Sequence, residues 1–509
     1  MSLKEEIARL SQKYLPLAEE LLKEAIRIPA DYVETDPICG TSNHEGPRLH
    51  YLKQKIVEIG AVSRPEDVYF DEYGNLIWDV TDYDDGVPRE QKKTVWYDGH
   101  TDTVFPLREQ WLKKIGGGID CFNGLTDASK VNEEFLRSQL GYLPPREEWE
   151  HIIFGRGSAD QLAGVISQIV STKIMLELKH LGALKNVYIK SIGTVTEEDN
   201  DGVGPMMIYK HFLSKAPSYE VPDAVLFTEG TGDARVSALG IYRGQRGRMI
   251  IEVEVIGQSC HGSMPYYGKN PLEYGAAIIV EANQHYNERI DILDDPFLSH
   301  GTRTASWCKL DTPSDCAVPD RFVFRFDRRI TVGETPEFAV NSIEKLSSVA
   351  KAREAGCIVT VKVPRYTEAS WTGMKADNDM IYMGWKTPEE HPSIQAAIQA
   401  YKDVITPYVT DEEVGKEGET FRIRRDPRVG RFVFSTDGVS YSIPKKNQPF
   451  EVPASKNWIE REHYIHPPMF GFGAGHEQNT HKIGEFVDRR ELKHAIALMS
   501  AFPSTFANQ

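Results

Sequence analysis

Apolar and polar positions follow two alternating periods along this chain. Residues 3–28 place Leu10, Tyr14, Leu17, Leu21 and Ile26 at spacings of three to five, which predicts a helix, and a second helix is predicted over 46–59. The runs 76–81 and 94–100 are short, apolar and β-branched, as strands are. After an irregular stretch from 105 to 150, a helix over 161–179 leads into the run 186–195, which has the character of a buried strand. A further strand is predicted from Ala224 towards Glu229. Strands alternating with helices predict an α/β fold, with a mostly parallel sheet covered on both faces.

The pattern changes near Gly244. Residues 247–257 alternate like a half-exposed antiparallel strand; a helix over 271–286, strands near 302–310 and 321–330, a helix over 335–351 and a strand over 357–364 follow. That order, βαββαβ, describes a compact two-layer, ferredoxin-like domain of about 120 residues inserted into the larger one. The expected division is 1–243 and 367–509 for the catalytic domain and 244–366 for the insertion. Beyond it come a helix over 392–406, strands at 431–434 and 469–473, and a closing helix over 488–501. The stretches 105–150 and 442–467 read as long covering loops, which are often functional.

Composition narrows the classes. With 509 residues, 40% hydrophobic and 26% charged, the chain is globular and too long for one core. A formal charge of -16 argues against a nucleic-acid or anionic-membrane partner. No apolar run approaches the roughly 18–20 residues that span a bilayer, and the charged N-terminus lacks a signal pattern. The six cysteines form no CxxC pair, so neither a disulfide framework nor a thiolate metal site is indicated. A cytoplasmic enzyme is expected.

The candidate chemistry sits at the ends of the predicted strands, where open α/β sheets bind ligands. Glu197 and Glu198 close one strand, His100 and Asp102 another and Glu229 a third; Asp160 precedes a helix, and His481 follows the last strand. Each has a plainer reading alone. The Glu-Glu pair could be a solvated acidic turn, Asp160 a helix cap, and His481 a surface histidine with His476 as its competitor. Together, two imidazoles and three carboxylates suit a pair of divalent ions, because carboxylate bridges while imidazole fixes one position on each.

The series Asp98-Gly-His-Thr-Asp102, Gly155-Arg-Gly-Ser-Ala-Asp160, Thr196-Glu-Glu198, Thr228-Glu229 and Gly473-Ala-Gly…His481 resembles the co-catalytic zinc peptidase family. That family includes aminoacylase, carboxypeptidase G, acetylornithine deacetylase and succinyl-diaminopimelate desuccinylase, and the resemblance covers nearly the whole chain. The segments 244–249 and 259–263 further resemble a subgroup of bacterial hydrolases linked to selenium or purine metabolism. The resemblance implies that Asp160 bridges two metals, with His100 and Glu229 completing one site and Glu198 and His481 the other. It implies that Asp102 orients His100, that Glu197 is the general base, and that the Asp160–Gln161 peptide is cis. It implies a lid that makes a homodimer, with His261 reaching the partner's active site to stabilise the oxyanion. Arg329 could bind a substrate carboxylate, and Asn270 matches a lid position of less defined role. Departures occur at Cys316, Gly230 and Ala474, none of them a ligand.

The expected function is a dinuclear-metal amidohydrolase for a small acylated amino acid, dipeptide or related metabolite. The ions are expected to be zinc, with cobalt and manganese not separable by ligand type. The alternatives are a ureido- or amidino-acid amidohydrolase in purine or nitrogen catabolism, and a non-catalytic metal-binding homologue.

Overall fold

The computed structural model describes residues 1–30, 44–116, 119–125, 131–140, 143–415, 422–445 and 458–508. Two helices open the chain, α1 (Leu3–Lys13) and α2 (Leu15–Arg27), in place of the single one expected. The break falls at Tyr14 because Pro16, in the first turn of α2, has no N–H to continue the ladder of α1. Helix α3 (Gly46–Glu58) follows. The first principal strands are β1 (Val68–Phe70), β2 (Leu76–Thr81) and β3 (Lys93–His100). Helix α4 (Ala163–Glu177) is buried along nearly its whole length and leads into β4 (Val187–Thr194). The short helix α5 (Glu197–Asn200), β5 (Ala224–Phe227) and β6 (Ile241–Tyr242) come next.

A second layer system then starts with β7 (Gly247–Ile256), α6 (Pro271–Asn287), β8 (Thr302–Asp311) and β9 (Arg321–Ile330). It ends with α7 (Pro336–Glu344), α8 (Ser347–Glu354) and β10 (Ile358–Lys362). Its sheet is antiparallel in the order β8-β9-β7-β10. The expected βαββαβ order is present, except that the second helix is split at Lys345 and Leu346. Alternate residues of β7 (Met249, Ile251, Val253 and Val255) face a core shared with Ile278, Ile343 and Val349 from the helices.

The chain returns through α9 (Pro392–Val404), β11 (Val429–Gly430), β12 (Met469–Gly471) and α10 (Arg489–Ala507). The large sheet runs β1-β2-β4-β3-β5-β12-β6-β11, parallel through β4-β3-β5-β12 and antiparallel at β1-β2-β4. Val95 and Tyr97 of β3 face the core under α2, α4 and α10, whereas Trp96 faces a second core with Phe227, Trp385 and Tyr441. The sheet is therefore covered on both faces.

Three expectations need adjustment. Residues 431–434 are not a strand: Arg246 donates to the carbonyl of Val433, and Phe432 N–H to that of Gly244, so side chains and a loop replace a ladder. The stretch 105–150 carries helices at Arg108–Lys114 and Glu133–Gln139; its residues 117–118, 126–130 and 141–142 lie outside the described residues. In 442–467 the described residues form a small sheet of Ile443–Pro444, Ile459–Glu460 and Tyr464–His466, and 446–457 lie outside them.

Candidate metal centre

Strands β4, β3 and β5 are neighbours and parallel, with His100 opposite Thr194 and Asp98 opposite Phe227. Whatever follows their carboxyl ends must therefore meet. His100 closes β3, Glu197 and Glu198 begin α5 three residues after the end of β4, and Glu229 lies two residues beyond β5. Asp160 comes from the turn before α4, and the Asp160–Gln161 peptide is cis, as expected. His481 comes from the loop after β12.

Asp160 sits between the two histidines. Its Oδ1 lies 3.0 Å from His100 Nε2 and its Oδ2 3.0 Å from His481 Nε2. His100 Nε2 is also 3.5 Å from Glu229 Oε2, and His481 Nε2 is 3.1 Å from Glu198 Oε2. Two trios result, His100–Asp160–Glu229 and Asp160–Glu198–His481, each with ligand atoms within 4.8 Å of one another. Glu197 is in neither; its Oε2 lies 3.7 Å from His100 Nε2. His476, the competing histidine, is buried against Glu491 at 3.0 Å, outside both trios.

Charge is unbalanced here. Burial and the neighbouring Asp160 charge push Glu198 and Glu229 up to about 7. Burial, with Glu198 adding to it, pushes Glu197 well above the usual carboxylate range. Burial works against the Asp160 charge too, but hydrogen bonds from His100 and His481 hold that carboxyl well below its ordinary value. His481 loses to burial and gains more from Asp160 and Glu198, reaching about 11. Four crowded carboxylates with two imidazoles form a donor set lacking positive charge, which a pair of divalent cations would supply. The residues fit such a pair in number, type and spacing.

A buried scaffold sets these groups. Both carboxylate oxygens of Asp102 accept backbone N–H groups, Oδ1 from Glu197 at 3.2 Å and Oδ2 from Glu198 at 2.9 Å. His100 Nδ1 lies 3.1 Å from the Asp102 carbonyl oxygen and 3.5 Å from its Oδ1. Sequence reading did not single out Glu485, whose Oε1 accepts the N–H groups of Ala159 and Asp160 at 3.0 and 3.1 Å. Arg156 holds its other oxygen at 2.6 Å. Gln161 donates to Glu229 at 2.7 Å, and Glu45 accepts from Thr196 N–H at 2.8 Å. Glu45 and Glu485 lie in no motif; Asp102, Arg156 and Gln161 lie in or beside the motifs named above.

The trios open into a cavity of about 310 Å³, whose other wall includes Arg248, Arg329, Phe434 and Ser435. Arg329 thus reaches the site, with Nη1 donating to Ser435 Oγ at 2.8 Å and Nε to Asp327 at 2.8 Å. Four expected residues do not line this cavity: His100 and Asp102, which are buried, and His261 and Asn270 of the second domain. His261 is exposed at the end of the short strand Cys260–His261 of the second domain, its Nδ1 accepting from Ser263 N–H at 3.1 Å. Asn270 caps α6, accepting from Leu272 N–H at 3.1 Å.

The peptidase dimerisation domain matches residues 243–354. The Escherichia coli (strain K12) protein YgeY, itself uncharacterized, is 33% identical over 356 residues, covering 70% of this chain and 73% of that protein. The chain belongs to the M20 family of metal-dependent peptidases and deacylases. This M20 chain is a metal-dependent hydrolase acting on amide bonds. It is also similar to a Staphylococcus aureus (strain Mu50 / ATCC 700699) M20 relative named probable succinyl-diaminopimelate desuccinylase, 22% identical over 273 residues, 52% of this chain and 61% of the relative. The di-peptidase Dug1p of Saccharomyces cerevisiae shares the fold, with a TM-score of 0.64 at 13% identity over 100% of both chains. No helix among the described residues is long and apolar enough to cross a membrane.

Proposed function

We propose that the chain is a dinuclear-metal amidohydrolase that cleaves a C–N amide bond in a small acylated amino acid, dipeptide or related metabolite. One observation carries this reading: the two oxygens of Asp160 face different histidines at the same 3.0 Å, so a single carboxylate serves two metal positions. His100 and Glu229 would complete one position, Glu198 and His481 the other. Two divalent ions there, zinc by our reading, would polarise the scissile carbonyl and activate water.

The remaining chemistry belongs to the chain. Glu197 takes a proton from the attacking water as its oxygen bonds to the carbonyl carbon. It then delivers that proton to the nitrogen as the C–N bond breaks. Its burial, and its place beside both trios without belonging to either, suit a group that exchanges protons. Asp102 fixes the Glu197 and Glu198 backbone, and Arg329 meets a carboxylate of the substrate.

We read 1–243 and 367–509 as the catalytic domain and 244–366 as a lid through which two copies pair. In that dimer His261, exposed and remote from its own cavity, serves the partner's site as an oxyanion donor. Asn270 then acts through the lid, as the cap of α6. A cytoplasmic location goes with this reading.

The test is metal content by elemental analysis, with hydrolysis of an N-acyl-amino-acid and dipeptide panel by wild type and Glu197→Gln. Two ions per chain, and turnover lost in the variant while both ions remain, is the expected result. One ion per chain would overturn the dinuclear reading, and undiminished turnover in the variant would remove Glu197 as the base.

A further inference from the structure

Arginines gather beside the cavity in a chain that is otherwise strongly acidic. Arg248 and Arg329 are direct cross-strand partners on β7 and β9, an arrangement that repels unless anions offset it. For these two the anions are present: Asp201 lies 2.6 Å from Arg248, and Asp327 lies 3.0 Å from Arg248 and 2.8 Å from Arg329.

Arg246 and Arg431 have no carboxylate in direct contact among the described residues. Arg246 precedes Arg248 by two positions and donates to the carbonyls of His300 at 2.8 Å and Val433 at 2.6 Å. Arg431 donates to the carbonyl of Leu298. Both guanidinium groups therefore bridge the same two segments, 298–300 and 431–433. Phe434 and Ser435, the next residues of the second segment, line the cavity. No carboxylate among the described residues forms an ion pair with either arginine, and Arg246 Nε is buried without an acceptor. Burial and the nearby charges of Arg431 and Arg329 lower the Arg246 pKa, outweighing the opposing pull of Asp327, a sign of cationic crowding. Carbonyl oxygens satisfy N–H groups without neutralising the charge, and Asp327, already shared by Arg248 and Arg329, offsets only part of it. Two planar, always-charged forks with spare donors suit a carboxylate or phosphate.

We propose that Arg246 and Arg431 form a second anion subsite beside the Arg248–Arg329 wall, and that the substrate carries an anionic group there in addition to the one met by Arg329. The substrate class becomes a dianionic amide, with its two acidic groups on one molecule a few bonds apart. This rests on the amidohydrolase reading above, and the test is chosen so that the two can fail separately.

Binding of glutarate and of butyrate to the protein as purified is measured by calorimetry, for wild type, Arg246→Met and Arg431→Met. Melting curves establish that each variant is folded. Glutarate should bind wild type at least about tenfold more tightly than butyrate, and that ratio should fall towards one in both variants. Equal affinity for the two acids in wild type, or a ratio untouched by both substitutions, would overturn the subsite. N-succinyl-alanine and N-acetyl-alanine are compared as substrates in parallel. A retained glutarate preference with no turnover of either amide would count against the acylated-amino-acid substrate reading and leave the anion subsite standing.

Discussion

Glu45, at the N-terminal end of α3, accepts the backbone N–H of Thr196 at 2.8 Å although the two residues are 151 positions apart. Thr196 has a left-handed backbone, with φ at 68°, and immediately precedes Glu197. With Asp102 accepting the next two N–H groups, two carboxylates hold three consecutive amides of the Glu-Glu turn. Glu45→Ala should therefore lower kcat by about 10–100-fold, as losses around metal ligands do, with a smaller change in KM. Glu45→Gln keeps an acceptor oxygen and should restore most of the rate. Steady-state kinetics on both variants decides it, and equal losses would assign Glu45 a role tied to its charge.

Arg156 and Glu485 are both almost fully buried and paired at 2.6 Å. Removing one partner of a buried pair strands the other charge, so Arg156→Met should cost about 3–5 kcal/mol of stability. Because Glu485 also anchors the Asp160 backbone, metal affinity should fall too. Chemical denaturation and metal titration read the two effects separately.

Chelation tests the charge imbalance. Ions that bind the folded chain stabilise it by mass action, about 4 kcal/mol at a thousandfold excess over Kd. Dialysis against a chelator should lower the Tm and abolish amide hydrolysis, and zinc should restore both. Asp160→Asn should bind less than one ion per chain, since Asp160 serves both trios. Retention of two ions would show that it bridges nothing.

Glu281 caps α8 from another helix, accepting the N–H groups of Ser347 at 3.1 Å and Ser348 at 2.7 Å. Burial opposes its charge, but hydrogen bonds from Ser348 and Ser347 overcome that and lower its pKa from 4.5 to about 2. A depressed carboxylate stabilises fully above its unfolded pKa, and the contribution is lost as pH falls through the folded one. Glu281→Ala should cost about 1 kcal/mol at neutral pH. The gap from wild type should close between pH 4.5 and about 2, as urea melts across that range would show.

Strand β8 ends the sheet of the second domain, with Trp307 45% exposed, and Val280 on α6 is 68% exposed. An open strand edge flanked by apolar side chains invites pairing. Trp307→Lys combined with Val280→Asp should give a monomer by sedimentation, with hydrolysis reduced by loss of the partner's His261. A wild-type monomer with full activity would remove the dimer from the mechanism.

Much of the site was legible along the chain because its residues sit in local contexts that depend only on neighbours. A strand needs a run of β-branched residues, and a parallel strand presents its carboxyl end to the ligand. His100, Glu198 and Glu229 could therefore be marked from the runs before them. The change of period near Gly244 likewise marked the second domain, because a half-exposed antiparallel strand alternates where a buried one does not. Helix breaks were less visible. Pro16 interrupts the first helix while leaving its apolar spacing intact.

Tertiary structure decided what depends on distant segments meeting. Sequence could not choose between His481 and His476 on residue type; folding turns one towards Asp160 and buries the other against Glu491. Glu45, Glu485 and Arg431 have no motif, and the segment holding Arg246 does not show its crowding, because a buried carboxylate or a crowded guanidinium is defined by its surroundings. Residues 431–434 read as a strand from their side chains, yet the distant Arg246 takes the Val433 carbonyl. The candidate ligands and base were thus marked by local pattern and family resemblance. Their spacing, charge balance and supporting partners were set by the sheet that brings β3, β4 and β5 side by side, since electrostatics and hydrogen bonds act across space and not along the chain.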